Sequence, residues 1–403
     1  MGSMLEQLAD RNSWQEFLQS KIKGGNFSSY EEKRLTRFIE NEEYLPIANA
    51  ILQKQAFPLP KLVELTKPFS DKKRNVFVFD FKEKLVLKLL AHLLNRYDYL
   101  FSRNLFSFRK NIGVKYAIDT LVRRTRQSDY YSYKADIHDY FNSVDTDLII
   151  RLLDETLTDD PDLNAFLQSV LTEPNCRKGK NVISFQKGIM AGVPFAGFLA
   201  NLYLKDMDQW FEDQGILYAR YSDDIIIFAK TEEEIKAHES AVKAFLIQKK
   251  LEINEKKEFR TLPGEEWEYL GVRILGKCVD ISASSLKKIK DKMRRKARAL
   301  IRWRERKNLD AERAVKAFIR HFNQKFYNNP QQNDITWCRW YFPIITTTES
   351  LRVIDEYMIS CIRYIATGKH SKSNYNLRYE RIKELGFRSL VNAYYKCKKT
   401  GKL

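Results

Sequence analysis

The stretch Ile216 to Lys230 reads ILYARYSDDIIIFAK. Two runs of β-branched and aromatic residues, Ile216 to Tyr221 and Ile225 to Ala229, flank Ser222-Asp223-Asp224, and apolar runs separated by a short polar turn predict a β-hairpin. Both carboxylates then fall in the turn. Two adjacent acids at the tip of a buried hairpin repel each other, and a divalent cation bound through oxygen relieves that repulsion. Asp is also a common residue of ordinary surface turns. The tetrapeptide alone leaves both readings open, so the surrounding chain has to decide between them.

On the C-terminal side, Thr231 to Lys250 predicts an amphipathic helix carrying Ile235, Val242, Phe245 and Leu246. Leu251 to Leu275 then returns in short strands, with Lys256-Lys257 near its start and Tyr269-Leu270-Gly271-Val272 as a second hairpin signal. On the N-terminal side, Tyr131 to Ile137 predicts a strand ending in Asp136, and a carboxylate at a strand end beside a turn is poor core material but a good metal ligand. Phe141 follows five residues later, and Asp145 is placed to cap a helix whose buried stripe is Leu148, Leu152 and Leu153. Gly188 to Gly197 is a glycine-rich turn opening into a helix from Phe198 to Trp210, where glycine lets a backbone or a base pair approach closely. This order of elements predicts an α+β palm, a mostly antiparallel sheet with helices on one face.

Further out, residues 5 to 57 read as helices, with Trp14, Phe17, Leu18 and Ile22 at helical spacing and Ser28-x-x-Glu31 as a capping box. Pro58 to Arg74 reads as loop, and Lys72-Lys73-Arg74 leads into a strand from Asn75 to Phe81. A basic cluster at a strand entry can hold a polyphosphate, or can simply be an exposed turn. A periodic helix from Lys82 to Asn95, an aromatic and basic segment from Tyr97 to Arg109, and a helix from about Gly113 to Arg126 complete this part.

The chain carries 70 Lys and Arg against 52 Asp and Glu, a net charge of +18. Between Ser282 and Pro330 there are sixteen basic residues and four acids. There Leu286, Ile289, Met293, Ala297 and Leu300 form a helical stripe, while most other positions through Lys307 are Lys or Arg. Such a helix packs by one face and offers the other to phosphates, each contact releasing condensed counterions. Two or three more helices follow, joined by loops around Asn328 to Asp334 and Gly368 to Asn376.

At 403 residues the chain can bury a large core as one multi-lobed unit or two to three domains. Met1-Gly2-Ser3-Met4 reads as an expression scar before a native start at Met4. No apolar run approaches bilayer length and no signal peptide is visible, so the expected protein is soluble, cytoplasmic and not membrane-bound. Cys176, Cys278, Cys338, Cys361 and Cys397 form no C-x-x-C pair, and the five histidines are dispersed, so neither a disulfide framework nor a zinc site is suggested. Any metal is then expected on oxygen ligands, which favours magnesium.

Asp136, the Gly192 loop, Tyr221-Ser222-Asp223-Asp224, Lys257 and Leu270-Gly271, in this order and spacing, resemble the reverse transcriptases. The resemblance covers roughly Arg74 to Leu275 as fingers and palm, with the basic helices after Ser282 as thumb. It implies a right-hand polymerase with helical N- and C-terminal parts: residues 1–57 helical, 58–129 fingers, 130–280 palm and 281–403 thumb and C-terminal helices. FSRNLFSFRKNIGVKYAI (Phe101 to Ile118) and ELGFRSLVNAYYKCKK (Glu384 to Lys399) look like the bacterial branch of group II intron, retron and phage-defence enzymes, and most like its class 2 defence-associated type.

The resemblance implies that Asp136, Asp223 and Asp224, with the Ile137 carbonyl, hold two magnesium ions, about 3.5–4 Å apart in such two-metal sites. It implies that Lys72, Lys73 and Arg74 bind the triphosphate, that Phe141 excludes ribose, that Gly192 lies at the nucleotide, and that Lys257, with Lys256 as neighbouring alternative, protonates pyrophosphate. Lys287, Lys288, Lys292, Arg295, Arg298 and Arg302 would meet nucleic-acid phosphates. The implied partners are a structured non-coding RNA template, the DNA product and deoxynucleotides. Two other readings stay open, a template-independent DNA polymerase and a maturase-like RNA binder. The chain departs from the family in three places. Met190-Ala191-Gly192 stands where Pro-Gln-Gly is common, Ala196-Gly197 where Ser-Pro is common, and Arg260 to Gly264 lacks the Val-Thr-Gly of retrons.

Overall fold

The computed structural model of the chain describes residues 2–24, 27–66, 73–126, 129–185, 188–327, 336–369, 374 and 376–401. Among the described residues run eleven strands: β1 (Lys61–Thr66), β2 (Lys73–Val78), β3 (Tyr131–Asp136), β4 (Asn175–Lys178), β5 (Asn181–Ser184), β6 (Leu217–Tyr221), β7 (Asp224–Ala229), β8 (Phe259–Thr261), β9 (Trp267–Tyr269), β10 (Val272–Leu275) and β11 (Cys278–Ile281). The chain forms two compact units, residues 1–263 and 264–403.

In the first unit the hairpin of β6 and β7 lies in a sheet of order β6-β7-β3-β8, antiparallel throughout. Ile225, Ile226 and Ile227 are all fully buried. Successive strand residues point to opposite faces, so β7 is covered on both sides. The helix Glu232–Gln248 packs on β3 and β7 and buries Ile235, Val242 and Leu246. Its start is fixed by a capping box, in which Thr231 accepts from the Glu234 N–H and the Glu234 carboxylate from the Thr231 N–H. A second sheet has the order β2-β1-β4-β5. N-terminal to it, the helices Arg11–Lys23, Ser29–Glu40 and Leu45–Leu52 close around Trp14, whose ring stacks on Tyr44 at 5.1 Å. The Ser28 and Glu31 capping box is formed. Residues 3 and 4 are part of this packing: Met4 is buried and its N–H donates to Asp160 Oδ2 at 2.6 Å.

The second unit opens with the meander β9-β10-β11. Tyr269 pairs with Val272, and Leu270 (φ 49°) and Gly271 (φ 82°) supply the two left-handed positions of a type I′ turn. The helices Ala283–Lys307, Ala311–Phe326, Glu349–Thr367 and Leu390–Thr400 follow. Ile289, Met293, Phe318, Phe322, Ile354, Met358 and Ile362 are buried among them. Asp355 accepts from the Leu390 N–H (2.9 Å) and from Ser389 Oγ (2.7 Å), which anchors the last helix.

Three expectations need correction. The stretch Pro58 to Arg74, read as loop, contains β1, which pairs with β2 from Lys61–Val78 to Thr66–Lys73. Its alternation was hidden because Val63 (38% exposed) and Leu65 (51% exposed) share a face with Lys61 and remain accessible to solvent, so no half-buried pattern stands out. The strand expected from Asn75 to Phe81 runs instead from Lys73 to Val78, and Phe81 opens the helix Phe81–Leu93. The helix expected from Phe198 to Trp210 is two helices, Ala196–Tyr203 and Lys205–Asp213, broken at Leu204 (φ −113°, ψ 19°). The restart puts Asp206 and Asp208 in a first helical turn, where carboxylates are favoured. The loops expected around 328–334 and 368–376 lie mostly outside the described residues.

Candidate active site

β3 ends on Asp136 and β7 begins on Asp224, and the two are direct partners across the antiparallel pair. Opposed residues share a face with Cβ atoms about 4.5–5.5 Å apart, so strand pairing alone brings these carboxylates together. Tyr221 also pairs with Asp224, leaving Ser222-Asp223 as a two-residue turn. Ser222 has φ 61°, the left-handed value required at the first central position of a type II′ turn. The Asp223 carbonyl accepts from the Ile137 N–H at 2.9 Å, tying the turn to the end of β3. Of the two acids expected in the turn, Asp223 is there and Asp224 is the first residue of the returning strand.

Asp136 is 4% exposed. Its Oδ2 accepts from Lys257 Nζ at 2.7 Å and its Oδ1 from Asn254 Nδ2 at 3.2 Å. Burial pushes the Asp224 carboxyl up to about 6; Lys134 opposes the rise, Asp223 and Asp136 add to it, and Lys257 opposes it again. Lys134 precedes Asp136 by two residues on β3 and therefore shares its face. An all-oxygen donor set, one member of which is disfavoured as a bare anion, suits a hard divalent cation. Among the described residues no three acidic, histidine or cysteine side chains stand close enough to close on one ion. Asp136 would have to exchange the Lys257 ammonium for a metal.

Beneath the turn lies a buried polar network. Arg220 and Asp208 are both fully buried, with Arg220 Nε donating to Asp208 Oδ1 at 2.8 Å and the Tyr218 hydroxyl donating to the same oxygen at 2.7 Å. Burial by itself would lower the Arg220 value, but the Asp208 carboxylate outweighs it and raises the guanidinium above its ordinary range. Arg220 Nη1 donates to the Ser222 carbonyl (3.1 Å), and the Ser222 N–H donates to Ser107 Oγ (2.9 Å). Ser107 comes from the aromatic and basic segment, whose Leu105 forms a parallel bridge with Arg220. Arg109 holds that segment in shape, donating to Asp98 Oδ1 (2.8 Å) and to the Ser102 carbonyl (2.6 Å).

Phe141 packs edge-on against Tyr140 and Phe108, with centroids 5.8 and 6.0 Å away. The Phe141 carbonyl accepts from the Ile189 N–H at 2.9 Å. Gly192 has φ 100°, and a Cβ there would lie 2.4 Å from Val76 Cγ1 and 3.0 Å from the Phe77 carbonyl oxygen. The glycine loop thus lies directly on β2, whose Phe77 N–H donates to the Ala191 carbonyl (2.8 Å). Lys73 and Arg74 belong to β2; Lys72 lies outside the described residues.

The sequence matches the family described as reverse transcriptase (RNA-dependent DNA polymerase) over residues 65–274, just over half of the chain. This chain belongs to the reverse transcriptase family. No curated protein matches it. Similar solved structures include the apo telomerase of Candida tropicalis truncated from its C-terminal domain, at 13% identity, 55% of each chain and a TM-score of 0.45. They also include the Candida albicans telomerase in complex with a TWJ fragment of telomeric RNA, at 11% identity, 92% of this chain, 71% of that chain and a TM-score of 0.43. The chain thus spans about half the length of the first of these. No helix among the described residues of this reverse transcriptase is long and apolar enough to cross a membrane.

In the second unit of the reverse transcriptase, the helix Ala283–Lys307 buries Ile289, Met293, Ala297, Leu300 and Ile301 and exposes Lys287, Lys288, Arg295, Arg298 and Arg302. Lys292 is half-buried. Its ammonium is lowered by burial first and then by the positive charges of Lys325, Arg295 and Lys288, so cations are crowded on this face. Lys134, Asn254, Ser107, Asp208 and Arg220 were not singled out from the sequence. Two signals were available: an arginine inside a strand of apolar residues, and a lysine two positions before Asp136.

Proposed function

We propose that this chain copies a structured RNA into DNA, with Asp136, Asp223 and Asp224 holding two magnesium ions at the tip of the β6–β7 hairpin. The pairing of Asp136 with Asp224 beside Asp223 in the turn carries this reading. Magnesium bound there would assist deprotonation of the primer 3′-hydroxyl and neutralise the departing pyrophosphate. The Ile137 carbonyl is assigned as a further ligand. Lys257, now on Asp136, would hold a proton at Nζ for the leaving group. Phe141 blocks the 2′-hydroxyl of a ribonucleotide, Gly192 lets the nucleotide approach the loop, and Lys72, Lys73 and Arg74 bind its triphosphate. Residues 58–129 act as fingers, 130–280 as palm and 281–403 as thumb, where Lys287, Lys288, Lys292, Arg295, Arg298 and Arg302 meet RNA phosphates without reading bases.

The template in this reading is a dedicated non-coding RNA and the setting is cytoplasmic anti-phage defence, a reading motivated by the segments 101–118 and 384–399. The deciding experiment is primer extension with and without an RNA template, using the full chain and the double variant Asp223→Ala/Asp224→Ala. Template-dependent synthesis lost in the variant is the expected result. Synthesis without template would favour a template-independent polymerase, and tight RNA binding with no synthesis a maturase-like binder.

A further inference from the structure

Phe108 occupies a backbone conformation that bulky residues avoid. Its φ is +54°, in the left-handed region where an aromatic residue is an outlier. Burial does not explain this, because 51% of the residue remains exposed. The conformation is imposed from both sides. Ser107 is fully buried, with Oγ donating to Asn201 Oδ1 (3.2 Å) and its carbonyl accepting from Asn201 Nδ2 (2.8 Å). On the other side the Arg109 guanidinium is fixed on Asp98 and on the carbonyls of Ser102 and Leu105. Strained residues held by such over-determined surroundings concentrate at functional positions.

The strain directs the ring to a particular place. It meets Phe141 edge to face, with centroids 6.0 Å apart and planes at 84°. It also lies over Gly197 so closely that a Cβ on that residue would sit 2.5 Å from Phe108 Cγ and 2.7 Å from Cδ1. Gly197 lies in the first turn of the helix Ala196–Tyr203 and its φ is not left-handed. Its backbone conformation therefore needs no glycine, and glycine is an unfavourable residue within a helix. The space taken by the Phe108 ring is what excludes a side chain there.

We propose that Phe108, seated on Gly197, is a positioning residue for nucleotide selection: it braces the Phe141 ring so that discrimination against ribonucleotides depends on both aromatics. The proposal rests on the reading of Phe141 as the residue that blocks the 2′-hydroxyl. A ring that rejects a substrate by overlap works only if it cannot swing aside. Tyr140 supports Phe141 from one side, and Phe108 is the support contributed by a distant segment of the chain.

The test measures kcat/KM for dTTP and for UTP on poly(rA)·oligo(dT) with the full chain. The variants are Phe108→Ala, Gly197→Ala, Phe141→Ala and the double Phe108→Ala/Phe141→Ala. Phe108→Ala is expected to lower the dTTP-to-UTP ratio by roughly tenfold or more, chiefly by raising UTP use, and Gly197→Ala should shift it in the same direction. The double variant should be no less selective than Phe141→Ala alone, because a brace has nothing to act on once the ring is gone. If Phe141→Ala loses selectivity while Phe108→Ala keeps it, the proposal is overturned and the role of Phe141 stands. If Phe141→Ala also keeps its selectivity, the role of Phe141 falls and the brace with it. Should Phe108→Ala fail to fold, Phe108→Leu replaces it: a reduced ratio supports the brace and an unchanged one contradicts it.

Discussion

The guanidinium of Arg220 donates to the carbonyl of Ser222 at 3.1 Å, so a fully buried cation grips the residue immediately before the carboxylate pair. The same side chain is paired with buried Asp208, and Ser107 holds the Ser222 N–H from the opposite side. Both polar groups of a left-handed turn residue are therefore bound by buried side chains, which keeps the turn in one conformation.

Removing only one partner of that ion pair strands a buried charge. Arg220→Met or Asp208→Leu should each cost about 3–5 kcal/mol of stability, whereas the double replacement should recover most of the loss. The double variant should still synthesise DNA poorly, because the Ser222 carbonyl has lost its donor. Denaturant unfolding and primer extension on the same samples separate the two effects. A double variant that is both stable and fully active would show that Arg220 serves packing alone.

Asp224 links the site to pH. Its folded value, raised by burial to about 6, lies above the unfolded value near 4. Between these values the folded state binds more protons, so the stability contribution is present below about pH 4 and is lost as pH rises through 6. Without divalent cations, the parent should lose on the order of 1–3 kcal/mol relative to Asp224→Asn across that window. Unfolding midpoints at about pH 4.5 and about pH 7, on either side of most of the titration, provide the comparison. Parallel pH curves for parent and variant would contradict the burial effect.

Gly192 tolerates no side chain, since its φ is 100° and a Cβ would press on Val76 and the Phe77 carbonyl. Gly192→Ala should displace the loop from β2 and raise KM for deoxynucleotides by roughly tenfold, in keeping with 1–2 kcal/mol of left-handed strain. Steady-state kinetics with a saturating primer and template read this directly. An unchanged KM would mean that the loop does not shape the nucleotide site.

Changing Lys292, Arg295 and Arg302 together to Gln should weaken RNA binding broadly and reduce the slope of log K against log salt by roughly two, at about 0.7 to 0.9 per phosphate contact. Binding titrations at several salt concentrations give the slope. No change would mean that this helix face does not contact RNA.

Much of the hairpin and of the helix Ala283–Lys307 was legible because each follows a single clean period: β-branched runs around a polar turn, and an apolar stripe through a basic helix. β1 was missed because its apolar residues Val63 and Leu65 remain exposed, and the helix break at Leu204 because the apolar pattern continues across it. Asp136, Asp223 and Asp224 stood out as acids at strand ends. The network beneath them did not, because Ser107, Asp208 and Arg220 come from distant segments. Their relation is tertiary, and no local pattern in the sequence encodes it. The brace of Phe108 on Phe141 escaped for the same reason, although Gly197 is its visible trace.

The most direct test of the central claim is primer extension by Asp223→Ala/Asp224→Ala on an RNA template with magnesium, measured beside RNA affinity and the unfolding midpoint of the same protein. The account predicts that DNA synthesis disappears while RNA binding and folding persist, because these acids serve the ions rather than the core. Extension at the parent's rate by the folded double variant would contradict it.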